Sequence, residues 1–106
     1  MIVRKLCEMV RGWCIGDFEP SIIRTKDFEL GILKHKKNEV WPRHYHKIAT
    51  EYNILLSGSM WVCGEELLSG DIFVIHPNDI SEPKFHEDCV IVCIKIPSVP
   101  GDKYLL

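Results

Sequence analysis

The sequence predicts an all-β chain, folded as a sandwich or a barrel of short strands. Two observations carry that prediction. Short apolar runs recur along the chain: Tyr52 to Leu56, Met60 to Cys63, Ile72 to Ile75 and Cys89 to Ile96. Between them stand Ser57-Gly58-Ser59, Gly64-Glu65-Glu66, Ser69-Gly70-Asp71 and His76-Pro77-Asn78-Asp79. Strands punctuated this closely by Gly, Pro, Asn and Asp are the pattern of β-sandwiches and barrels. Past the first third of the chain no apolar spacing invites a helix.

Taken in order, residues 2–13 alternate imperfectly and fit either a strand or one short amphipathic helix. Gly12, Gly16, Asp17 and Pro20 then read as turns. Residues 28–36 form a plausible strand with Phe28, Leu30 and Ile32 on one face and Glu29, Gly31 and Leu33 on the other. Lys36-Lys37-Asn38-Glu39 is a polar turn into Trp41-Pro42. In the last strand Val90, Val92, Ile94 and Ile96 share one face while Ile91 and Cys93 share the other, so both sides are apolar. A small barrel buries only one face of each strand, and the outer faces need cover. Residues 1–27, packing on the barrel or on a partner subunit, are one source of it; a second subunit is the other.

With 106 residues the chain is expected to form one domain with one core. It is 46% hydrophobic and 26% charged with a net charge of -2, so no basic excess points to nucleic acid or to a membrane surface. The cluster Lys34, Lys36 and Lys37 reads as a solvated strand end. The apolar runs are too short for a transmembrane helix. Arg4, Lys5 and Glu8 interrupt the first ten residues, which do not resemble a signal peptide, and a cytoplasmic location is the default expectation. The five cysteines are odd in number and scattered, unlike a disulfide framework. In an extended run Cys89 and Cys93 lie about 13 Å apart, beyond the roughly 7 Å reach of a disulfide. The same span argues against a zinc site made of His86, Cys89 and Cys93. Reduced, buried thiols acting as small hydrophobes are the simpler reading.

The chemistry concentrates in the stretch from His44 to Glu51. Two histidines two apart on an extended segment present both imidazoles on one face, with Cα atoms about 6.6 Å apart. Glu51 is an odd number of residues past His46 and would face away on one continuous strand. Pro42 and the segment 47–50 instead suggest a turn, after which Glu51 opens a second strand, antiparallel to the first and facing the same interior. Two imidazoles and a carboxylate are ligands for a divalent transition metal, here Fe, Mn, Ni or Zn. Taken alone, a His-x-His pair is more often the polar face of a surface strand. Asn53 shares the face of Glu51, and an inward amide needs a partner among the ligands or on a substrate. Tyr45, Tyr52 and Arg43 should point outward. Trp41 and Trp61 are candidate pocket walls, with ordinary core or interface packing as the alternative.

At these residues the sequence resembles the cupin superfamily. Its first motif, G-x5-H-x-H-x3,4-E-x6-G, is matched by His44, His46, Glu51 and Gly58 with the spacing intact. Asn38 stands at the leading glycine, and Asn tolerates positive φ better than most residues. The second motif, G-x5-P-x-G-x2-H-x3-N, is matched loosely: Gly70 opens it, His76 stands at the proline with Pro77 one place late, and Asn78 stands at the glycine. Ser81 replaces the histidine that supplies a fourth ligand in many cupins, and Phe85 replaces the asparagine. His86, five residues later, would be a fourth ligand only if the loop around Pro83 brought it back. The resemblance covers roughly residues 28–96. Gly16-Asp17-Phe18-Glu19-Pro20-Ser21 and the tail from Lys95 to Tyr104 are similar to small single-domain cupins without an assigned reaction.

The resemblance implies a cupin-type jelly-roll barrel (a double-stranded β-helix), a metal on His44, His46 and Glu51, and a homodimer formed through a sheet face. Pocket candidates are Asn53, Ser81 and Trp61. The implied function is a metal-dependent small-molecule enzyme, with oxygenase, isomerase and lyase chemistry all open, because fold does not choose reaction. The alternative is a non-catalytic module for a sugar or another small ligand, which the replacement at Ser81 favours.

Overall fold

Strands from the first third of the chain share a sheet with the long strand at residues 89–96 in the computed structural model, which describes all residues from Met1 to Leu106. A single 3₁₀ turn, Leu6–Glu8, precedes β1 (Trp13–Gly16), β2 (Ile23–Arg24) and β3 (Glu29–His35). Then come β4 (His44–Tyr45), β5 (Thr50–Ser57), β6 (Ser59–Val62), β7 (Glu65–Leu68) and β8 (Ile72–Ile75). β9 (Lys84–Phe85), β10 (Cys89–Ile96) and β11 (Tyr104–Leu105) complete the chain. Six strands pair in the order β2-β1-β3-β10-β5-β8, three in the order β7-β6-β9, and β11 pairs with β4. This is a jelly roll.

Strand alternation gives the large sheet an inner face graded from charged to apolar. Its cross-strand rows are Glu29–Lys95–Glu51–Ile75, then Gly31–Cys93–Asn53–Phe73, then Leu33–Ile91–Leu55, then His35–Cys89. Opposite the apolar rows lie Met60, Val62, Leu67 and Phe85, which join Leu55, Ile75, Cys89 and Ile91 in the core. Burying each large apolar side chain of this kind stabilises the fold by roughly 1.5–3 kcal/mol. The charged members of the first row, Glu29, Lys95 and Glu51, lie outside that cluster, and the site forms there.

Residues 2–13 are neither a full strand nor an amphipathic helix. After the 3₁₀ turn, Val10 bridges to Trp13 and the segment docks on β3. Gly12 makes the approach possible: its φ is +84°, and any Cβ there would collide with the Ile32 carbonyl. The Ile32 N–H donates to the Gly12 carbonyl at 3.0 Å. Asn38 and Asn78, which stand at motif glycines, take φ of 64° and 71°, so both turns survive the substitutions.

One expected pairing is absent. β4 and β5 are not antiparallel neighbours; β4 pairs with β11, and His44 also bridges Ser81. The two halves of the first motif therefore lie in different sheets and face each other across the interior. All five cysteines are free. Cys89 and Cys93 are buried small hydrophobes as expected, whereas Cys7 and Cys63 are exposed. On the outer face of the large sheet Tyr52, Ile54, Ile72 and Val74 are exposed side by side. No helix is long and apolar enough to cross a membrane.

Candidate metal and ligand site

The inner faces line a half-open cavity of about 900 Å³. His44, His46, Glu51, Asn53 and Ser81 all line it. β4 aims His44 inward while the outward Tyr45 packs on Tyr104, and His46 follows by alternation. β5 places Glu51 and Asn53 on the facing sheet. The two imidazoles meet edge to face, with centroids 5.6 Å apart.

Each imidazole is oriented by a backbone carbonyl. His44 Nδ1 donates to the Pro42 carbonyl at 2.8 Å, and His46 Nδ1 donates to the carbonyl of Asp102. A carbonyl only accepts, so Nδ1 carries the proton in both rings and Nε2 is left with its lone pair toward the cavity, the arrangement that orients metal-ligating histidines. His46 Nε2 lies 3.1 Å from Glu51 Oε2. Two acceptors at that separation require a positive charge, either a second proton on His46 or a cation shared between them.

The electrostatics agree with that requirement. Burial disfavours charge on His46, but Glu51 and the Asp102 carbonyl outweigh it and raise its pKa. Burial likewise works against Glu51, and the His46 hydrogen bond and the Lys95 charge overcome it, holding the carboxyl below its ordinary range. His44 behaves oppositely. Its own burial, with the positive charges of Lys103 and His46 nearby, lowers its pKa and keeps it neutral. Cys93 Sγ donates to Glu51 Oε1 at 3.3 Å. Burial, reinforced by the Glu51 carboxylate, pushes this thiol far up, so it stays a protonated donor.

As the side chains stand, no three His, Cys, Asp or Glu residues are drawn together as a coordination group. In kind, the donors suit a divalent cation: the Nε2 lone pair of neutral His44, the Nε2 of His46 once a metal displaces its second proton, and the carboxylate opposed to it. Asn53 lines the same cavity, and its Nδ2 is buried with no hydrogen-bond partner, an orphaned donor beside the space a ligand would fill.

Two expected residues are elsewhere. β9 keeps its alternation through the loop around Pro83, so Phe85 turns inward and His86 outward, where its Nε2 pairs with Glu66 Oε2 at 2.9 Å. His86 is not brought back as a fourth ligand. Trp61 points away because Met60 and Val62 take the inner positions of β6; Trp41 lines the cavity instead.

Several contributors had no signal in the strand pattern. The Asp102 carboxylate accepts from the N–H groups of Lys47, Ile48 and Ala49 at 3.0, 3.0 and 2.9 Å, which builds the turn between His46 and Glu51. Only its place after Pro100-Gly101 hinted at a turn. Glu39 Oε2 accepts from Trp41 Nε1 at 2.6 Å and pairs with His35 Nδ1 at 2.5 Å. Arg11, Lys95 and Lys103, distant in sequence, converge on the cavity. Burial, and then the charges of Arg11 and Lys95, pull Lys103 below the ordinary lysine range.

A jelly roll of this kind has the architecture of the double-stranded β-helix. No family model matches the sequence, and no curated protein is similar to it in sequence. Solved structures match it in fold. A conserved protein with a double-stranded β-helix domain from Klebsiella pneumoniae is 16% identical over 97% of this chain and 89% of its own, with a TM-score of 0.72. KdgF from Halomonas sp. is 21% identical over 72% of this chain and 74% of its own, with a TM-score of 0.63. The DMSP lyase DddQ from Ruegeria pomeroyi is 16% identical over 88% of this chain, with a TM-score of 0.68, and the match spans 49% of that protein. What is shared at such identities is the fold.

Proposed function

We propose that this chain is a metal-binding small cupin that acts on a small molecule in its cavity, with His44, His46 and Glu51 as the ligands of a divalent transition metal. The observation that carries the reading is the 3.1 Å approach of His46 Nε2 to Glu51 Oε2, made by a ring whose other nitrogen is already committed. When bound, Fe, Mn, Ni or Zn would supply Lewis acidity toward a substrate oxygen. The chain's own residues do the rest. Asp102 and Pro42 orient the imidazoles, Cys93 steadies the free oxygen of Glu51, and Asn53 offers a donor to substrate. Leu33, Met60, Val62 and Ile91 supply an apolar wall.

The test is metal content after purification without added metal and without a histidine tag. About one equivalent is expected per chain, since three ligands suffice for one catalytic ion. That metal should be lost in a His44→Ala/His46→Ala variant that remains folded by circular dichroism. Unchanged metal in the variant would overturn the site. Failure of the wild type to take up Fe, Mn, Ni or Zn would instead favour a non-catalytic module for a small ligand, the reading supported by Ser81 standing where many cupins place a fourth ligand.

The same proposal includes a homodimer and a reducing, cytoplasmic setting. Tyr52 opposite Val74 and Ile54 opposite Ile72 make an exposed apolar lattice on a sheet face, which a second copy would cover. Sedimentation is expected to show a dimer for the wild type and a monomer for Ile72→Lys/Val74→Lys; an unchanged sedimentation coefficient in the variant would exclude this face. Free thiols at the surface, Cys7 and Cys63, suit a reducing compartment.

A further inference from the structure

Positive charge in the cavity exceeds what its carboxylates answer. Glu51 faces His46, and Glu39 accepts from His35 and Trp41. Lys95 has Glu29 as a distant partner, Nζ to Oε1 at 3.8 Å. Arg11 and Lys103 make no ion pair at all. Lys103 is nevertheless held in place, its Nζ 4.4 Å from the centre of the Trp41 ring, at the cavity and beside the His44 end of the site. Arg11 and Lys103 are both exposed at the rim of the cavity, where two neighbouring cations with no carboxylate between them favour an anion.

The remaining walls say what else that ligand must be. Two rungs above the charged row the inner face is wholly apolar, Leu33 beside Ile91, with Met60, Val62 and Phe85 opposite. On the rung between stands Asn53, a lining residue 3% exposed whose buried amide donor is unsatisfied. A sugar or a free phosphate would need many polar partners along its length; here one orphaned donor separates cations from hydrocarbon. The volume suits an organic molecule of modest size.

We infer that the cavity takes a small monocarboxylic acid with an apolar body: its carboxylate lies between Lys103 and Arg11 beside His44, an oxygen near its acid end accepts from Asn53, and its body lies along Leu33, Met60, Val62, Phe85 and Ile91. The inference rests on the reading of this cavity as the ligand site. It names the ligand's class and assigns Lys103 and Arg11 as binding residues.

The experiment is calorimetric titration of the full chain with hexanoate and 4-phenylbutyrate, beside the neutral hexanol and 4-phenylbutanol and beside inorganic phosphate. At least one acid is expected to bind about tenfold or more tighter than its alcohol, as a charge-assisted contact with two unpaired cations should provide. Lys103→Gln and Arg11→Gln should erase that preference while leaving the alcohol's affinity unchanged, and Lys103→Arg should retain it. Equal affinity for acid and alcohol, binding of neither acid, preference for phosphate, or a preference surviving in both glutamine variants would each overturn the assignment. Repeating the titration on His44→Ala/His46→Ala separates the two readings. An acid preference kept there, in a wild type that takes up no metal, sinks the metal reading and leaves the clamp; metal uptake without acid preference does the reverse.

Discussion

Replacing Asp102 with alanine is expected to destabilise the protein by about 3 kcal/mol, since each buried amide left unsatisfied costs about 1–3 kcal/mol and hydrogen bonds to a charged acceptor are the stronger kind. One side chain collects the N–H groups of Lys47, Ile48 and Ala49, and Ala49 is almost fully buried. The midpoint of thermal unfolding should fall by more than about 10 °C for a chain of this size. The charge state matters as well. Burial opposes the Asp102 carboxylate, but the three donors win and hold its pKa below the ordinary aspartate range. A group whose folded pKa is depressed contributes stability that is fully present above its unfolded value and lost as pH falls through its folded value. The gap between wild type and Asp102→Ala should therefore be full at pH 7 and shrink below about pH 4. Asp102→Asn, which imitates the protonated group, should fall between the two at pH 7. Urea denaturation at both pH values checks this; a gap that is small at pH 7, or equally large at pH 3, would show that the carboxylate does not hold the turn.

Asp102 also marks where a reading of the sequence stops. Alternation with period two placed Glu51 and Asn53 on one inner face, because the residues between them, Tyr52 and Ile54, are free to point out. It could not say which strand lies beside which. His44 and Glu51 look like neighbours along the chain yet sit in opposing sheets, and the group that fixes the turn between them comes from the tail. Parity failed where both faces are apolar. In β6 either Trp61 or the pair Met60 and Val62 had the composition of a pocket wall, and packing against Leu67 and Phe85 decided for the smaller residues. His86 required the chain to break its alternation near Pro83; β9 simply continues it. The positive end of the cavity was invisible for another reason. Arg11, Lys95 and Lys103 form no local pattern, and only the docking of residues 6–13 against β3 brings Arg11 to a space lined by the other two. Motif positions that demand only a backbone conformation were more legible: Asn can adopt positive φ, and Asn38 and Asn78 do.

Gly58 places two demands on its position, and Gly58→Ala is expected to cost about 2–5 kcal/mol, combining backbone strain of about 1–3 kcal/mol with a comparable overpacking penalty. Its φ is +93°, which an L side chain rarely adopts. A Cβ there would also collide with the Asp88 carbonyl and come within 2.7 Å of Cys89 Sγ. Neither neighbour moves easily, since Cys89 is 2% exposed and its Sγ donates to the Ser59 carbonyl at 3.4 Å. Gly64 and Gly70 provide the comparison, with φ of +83° and +94° and nothing within 4 Å of a new Cβ. Alanine at either should cost only the conformational part, about 1–2 kcal/mol. Urea denaturation of the three variants isolates the steric component at Gly58 as the difference; equal losses at all three positions would mean the collision is relieved by a small shift of β10. The consequence should reach the site. Gly58 joins β5, which carries Glu51 and Asn53, directly to β6, which carries Met60 and Val62. A displaced hinge there moves the wall bearing the carboxylate against the apolar wall facing it, so Gly58→Ala should weaken metal uptake even where the protein stays folded, whereas Gly70→Ala should not.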